Sequence, residues 1–68
     1  MKKYYFTFMQ SQTKLRNKYV TFWGATYEEA REKMAKNFGM LFAFQYDERQ
    51  WVVEGKTQAE IYGLTEIK

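Results

Sequence analysis

The sequence predicts a small α+β domain in which one antiparallel sheet packs on one amphipathic helix. Three observations carry that expectation. Aromatic side chains alternate with others through residues 3–10, apolar residues recur at helical spacing through residues 27–38, and short apolar runs bounded by turn residues follow Gly39. The order along the chain is β-β-α-β-β, then a short helical turn and a last short strand, and residues 1–68 are read as a single domain.

The first strand places Tyr4, Phe6 and Phe8 on one face and Tyr5, Thr7 and Met9 on the other. Residues 11–17 are polar and lack a pattern, so they form a hairpin connection. Seven residues is long for such a loop, which points to a tip that moves or makes contact. Residues 18–23 return as a second strand with Tyr19, Thr21 and Trp23 facing one way and Val20 and Phe22 the other, and Gly24 ends it. Thr26-Tyr27-Glu28-Glu29 has capping-box spacing and opens a helix whose inner positions are Tyr27, Ala30, Met34 and Phe38. Glu29 with Lys33 and Glu32 with Lys36 support its outer side, and Gly39 stops it.

Residues 41–46 then form a third strand with Phe42, Phe44 and Tyr46 on one face. Asp47-Glu48-Arg49-Gln50 is expected to turn the chain, and Trp51-Val52-Val53 to return as a fourth strand. Thr57-Gln58-Ala59-Glu60 repeats the capping-box spacing and opens one short helical turn, before a last strand within residues 64–67. The core expected against the helix comprises Tyr4, Phe6, Phe8, Val20, Phe22, Phe42 and Phe44.

Composition narrows the function. A 68-residue chain buries only about 60% of its unfolded surface, so it needs dense apolar packing. The 46% hydrophobic and 21% aromatic content meets that need. Cysteine and histidine are both absent, which removes disulfides, thiolate and imidazole metal ligands, and the usual nucleophiles and general base. No phosphate loop or nucleophile elbow occurs, and Asp47 and Glu48 suit a turn better than acid/base chemistry. The expectation is a protein that is not an enzyme, with no catalytic residues, cofactor or metal. No apolar run approaches the ~20 residues of a membrane span and no signal segment follows Met1, so an intracellular chain beginning at Met1, with no membrane partner, is expected.

The net charge of +3 is unevenly spread. Residues 1–18 hold Lys2, Lys3, Lys14, Arg16 and Lys18 and no acid, giving +5, while the remainder holds six basic and eight acidic groups, giving −2. Such a basic hairpin steers toward phosphates or acidic protein surfaces, or else guards an edge against strand pairing. Glu28, Glu29 and Glu32 suit a solvated helix face better than mimicry of a nucleic acid.

One helix covers one sheet face, which leaves Tyr5, Met9, Tyr19, Thr21 and Trp23 on the other, rimmed by Lys14, Arg16 and Lys18. Tyr and Trp are enriched in interfaces and also stack on bases. The candidate partner-binding residues are therefore Tyr5, Lys14, Arg16, Lys18, Tyr19, Thr21 and Trp23. The alternative is that the C-terminal turn, a dimer mate or lysine stems cover this face.

The stretch KYVTFWGATYEEAREKMAKNFGMLFAFQYDERQ, with the closing YGLTEIK, resembles a family of small phage and prophage proteins. Those sequences share an aromatic first strand, a TYEEAREKM-type helix ending in Phe-Gly, an AFQY strand and a GLTEI ending. Glu29, Ala30, Arg31, Met34, Phe38, Gly39, Ala43, Phe44, Gln45, Tyr46, Gly63 and Leu64 match. The architecture is also similar to small phage inhibitors of host machinery, including anti-CRISPR and other anti-defence proteins. The resemblance implies a phage-encoded inhibitor, acting in the cytoplasm of the infected bacterium by occupying a host protein or ribonucleoprotein complex. Two alternatives stay open: a single-stranded nucleic-acid-binding module in which Tyr5, Tyr19 and Trp23 stack on bases, and a structural homodimer in a phage assembly.

Overall fold

The computed structural model describes residues 1–9, 11 and 13–67. It is a small α+β domain. Strands β1 (Lys2–Phe8) and β2 (Lys18–Gly24) are followed by helix α1 (Tyr27–Phe38) and strand β3 (Phe42–Asp47). Then come α2 (Glu48–Gln50), a π-helical turn (Trp51–Gly55), α3 (Lys56–Tyr62) and strand β4 (Thr65–Ile67). The strand order is β3-β1-β2-β4, with β1 antiparallel to both neighbours and β4 parallel to β2, so the sheet is mixed where an antiparallel one was expected.

Aromatic alternation places Tyr4, Phe6 and Phe8 of β1 beside Val20 of β2, and α1 closes over them with Ala30 and Met34. Phe22, Phe38 and Phe42 pack around this centre, with Phe6 edge-on to Phe42 at 5.4 Å and Phe8 edge-on to Phe38 at 5.5 Å. Half of the expected capping box is present: the Glu29 amide donates to Thr26 Oγ1 at 3.1 Å, while a Glu29 carboxylate oxygen lies 4.0 Å from the Lys33 ammonium. Gly39 ends the helix at φ 67, a backbone angle that side chains disfavour.

Phe44 is not part of this core. Phe42 pairs with Phe8 but Phe44 pairs with Thr7, so β3 fits an extra residue at Ala43, and this bulge reverses the alternation. Phe42 therefore faces α1, whereas Phe44 faces away and is 59% exposed. Gln45 takes the place opposite Phe6, donating from Nε2 to the Tyr27 carbonyl at 2.8 Å.

The fourth strand expected at Trp51-Val52-Val53 is helical instead. The Asp47–Gln50 segment, expected as a turn, is itself a capping box: the Gln50 amide donates to Asp47 Oδ1 at 2.7 Å and the Asp47 amide donates to Gln50 Oε1 at 3.1 Å. That cap starts a rod that runs unbroken through the π turn, because Trp51, Gly55 and Lys56 at its junctions all keep right-handed helical angles. Thr57 consequently lies inside α3 and caps nothing, and the expected single helical turn is the end of a longer rod. The rod lies on the sheet face opposite α1, where Trp51 stacks on Tyr5 at 4.5 Å and 3°, giving three layers rather than two. The parts of the first strand at Gln10 and of the hairpin tip at Gln12 lie outside the described residues. Among the described residues, no helix is long and apolar enough to cross a membrane.

Candidate functional site

The β1–β2 register sets Lys3 directly opposite Trp23 and Lys2 opposite Gly24 at one end of the sheet. At the same end β3 finishes at Asp47 and the rod begins with Glu48 and Arg49. Together these residues line a cleft of about 400 Å³. Trp23 is 51% exposed there, because the rod covers Tyr5 and Tyr19 further along the sheet. Its backbone is held by Lys33, whose ammonium donates to the Trp23 carbonyl and lies 4.0 Å from Glu29. A large aromatic ring on a fixed backbone is thus surrounded by Lys2, Lys3 and Arg49 on one side of the charge balance and Asp47 and Glu48 on the other.

The seven residues singled out from the sequence do not converge. Tyr5 and Tyr19 are half-buried beneath Trp51, which stacks on the first and contacts the second at 4.8 Å. Their partner is thus the chain's own rod, a more extensive cover than the C-terminal turn considered from the sequence. Thr21 is half-buried on the same face. Lys14, Arg16 and Lys18 are exposed, but at the far end of β2: five residues separate Lys18 from Trp23, about 17 Å at strand rise. Of the set only Trp23 lies in the cleft. Sequence reasoning missed Lys2, Lys3, Asp47, Glu48 and Arg49 as its neighbours; the signal for the first two was the hairpin register that pairs Lys3 with Trp23.

Asp47 is occupied as a helix cap, which leaves it poorly placed for proton transfer. Among the described residues, no three carboxylates come together as a metal site. Among the described residues, the perturbed titrating groups are two tyrosines that contact Trp51. Burial, with the charge of Glu66 next, pushes the Tyr19 phenol above its ordinary value, and burial followed by Glu54 does the same for Tyr46. Comparison with protein-family models, with curated proteins and with solved structures finds no match.

Proposed function

We propose that the protein is a non-enzymatic binding protein that occupies the surface of a larger partner protein, with Trp23 as its anchor. The observation that carries this reading is the half-exposed Trp23 ring in a cleft whose rim holds both signs of charge. An aromatic centre within a mixed polar rim is the anatomy of a protein interface, and tryptophan is among the residues that dominate such contacts. In the setting that the sequence resemblance implies, the protein is a phage-encoded inhibitor in the cytoplasm of the infected bacterium. Its target there is a host defence or nucleic-acid-processing complex.

The geometry favours this over a single-stranded nucleic-acid module. Stacking on bases needs open aromatic faces, and those of Tyr5 and Tyr19 are turned to Trp51. Phosphate binding needs a basic groove, yet Asp47 and Glu48 share the cleft with the lysines.

Capture of partners from bacterial lysate, with and without nuclease, tests the reading. Trp23→Ala is expected to weaken capture by at least about 30-fold, the loss of an interface anchor worth ~2 kcal/mol, and nuclease should leave capture intact. Equal capture by parent and variant would remove Trp23 from the site. Capture abolished by nuclease, together with direct binding of single-stranded DNA or RNA at low salt, would replace the protein partner with nucleic acid.

A further inference from the structure

We infer that the rod is a strap clasped by Trp51, which opens as one unit while the sheet and the α1 layer stay folded. This goes beyond the partner reading above and does not depend on it.

The two layers are attached to the sheet very differently. On one side α1 presses Ala30 and Met34, both wholly buried, into the core, and Phe38 packs edge-on to Phe8 and Phe22. On the other side, among the rod residues whose burial is described, Trp51 and Gly55 are the buried ones. Gly55 lies against the Trp51 ring. One indole therefore carries the rod's buried apolar contact with the sheet, stacking on Tyr5 at 4.5 Å and meeting Tyr19 at 4.8 Å and Tyr46 at 5.7 Å. Val52, Val53 and Ile61 are exposed. Beyond Trp51 the rod stands off the sheet: a cleft of about 340 Å³ lies between Tyr19 and α3, with Lys56, Ala59 and Glu60 on the α3 side. Few buried apolar contacts are the mark of a unit that opens locally.

The rod's own helical structure does not hold it in place. Its three segments of three, five and seven residues together have a length at which an isolated helix is marginal in water, roughly 12–15 residues. Gly55 and the π turn in its middle weaken it further. Once Trp51 leaves the tyrosines, the backbone hydrogen bonds of the rod are lost together. Both ends stay tied, because Asp47 finishes β3 and the Thr65 amide donates to the Asn17 carbonyl at 3.0 Å where β4 runs beside β2. The strap thus sets which surface the molecule presents. Closed, its first turn supplies Glu48 and Arg49 to the cleft around Trp23; open, it withdraws them and bares Tyr5 and Tyr19.

Native-state amide hydrogen exchange, followed by NMR at low urea concentrations, tests this on the parent and on Trp51→Ala. In the parent, the protected amides of the rod are expected to share one opening that occurs at least about tenfold more often than the opening that exposes the amides around Phe6 and Met34. That shared opening should also depend less on urea, since it exposes less surface. In Trp51→Ala the rod amides should exchange as in an unstructured chain while those of β1 and α1 remain protected. Should Trp51→Ala unfold altogether, the parent decides alone. Rod amides that exchange only with global unfolding would overturn the inference, as would amides that fray one by one from the ends without a shared opening. A folded Trp51→Ala whose rod stays protected would overturn it as well.

Discussion

Phe6 and Phe44 are the same residue type on adjacent strands, and their surroundings give them opposite weights. Phe6 is wholly buried and edge-on to both Phe22 and Phe42, whereas Phe44 faces solvent on the other side of the sheet. Phe6→Ala should therefore cost about 3–5 kcal/mol, the transfer of a phenyl ring plus the cavity it leaves. Phe44→Ala should change monomer stability by only about 0.5 kcal/mol, as an exposed substitution does. Urea denaturation of both variants, under conditions where the protein is monomeric, checks the contrast. A comparable loss at both positions would mean that β3 keeps simple alternation. Residue-level reasoning from the sequence succeeds on β1, where alternation is uninterrupted and Tyr4, Phe6 and Phe8 all reach the core. It fails on β3 because the extra residue at Ala43 has no compositional mark; glycine and proline are both absent from the strand. Gln45 shows the consequence, as a polar group brought into the core side with its Oε1 buried and unpartnered. A substitution that removes this amide would free the carbonyl of Tyr27 as well.

At the scale of the element, the rod from α2 to α3 decides how the second sheet face is covered. Its sequence holds conflicting local signals. Trp-Val-Val suits a strand, and three apolar residues are too few for periodicity to separate strand from helix. Asp47 and Gln50 bear the spacing of a cap, but the same residues also suit a turn. What resolves the conflict is tertiary: projecting from a helix laid across the sheet, Trp51 meets Tyr5, Tyr19 and Tyr46 together. The π turn sets Gly55 against the Trp51 ring, and both are buried, while Val52 and Val53 are exposed. Gly55 is required by contact rather than by backbone angle, because a Cβ at that position would overlap the Trp51 ring. Gly55→Ala should then push Trp51 off Tyr5 and destabilise the domain by about 1–3 kcal/mol, the usual cost of overpacking. Near-UV circular dichroism, read beside a denaturation curve, reports both effects; an unchanged aromatic signal with unchanged stability would show that the rod absorbs the methyl group. By contrast α1 was mostly legible, since its start, the Ala30, Met34 and Phe38 stripe and its glycine stop are local features that agree, whereas Tyr27, expected inward, is exposed at the first turn.

On the scale of the whole molecule the sheet separates two cores of different chemistry. The α1 side is built around Phe6, Phe8 and Met34, whereas the rod side gathers Tyr5, Tyr19 and Tyr46 around Trp51. This difference makes the two layers respond differently to alkali. The phenols of Tyr19 and Tyr46 are both raised above the ordinary 10.0, chiefly by burial, then by Glu66 and Glu54 respectively. A raised value means that the folded protein favours the neutral phenol more than the unfolded chain does. Their contribution to stability is complete below pH 10.0 and is lost as the pH climbs from there through the raised folded values. Because both rings contact Trp51, the loss is felt at the contact between rod and sheet. Stability from urea denaturation should therefore hold through the alkaline range up to pH 10.0 and fall above it, with the Trp51 environment changing before the helical signal of α1 is lost. Phenylalanine at both positions keeps the rings and removes the titration, so the paired variant Tyr19→Phe with Tyr46→Phe should flatten much of that alkaline decline. A decline equally steep in parent and paired variant would place its origin in other groups, and would mean that the aromatic layer beneath the rod accepts the phenolate forms without loosening.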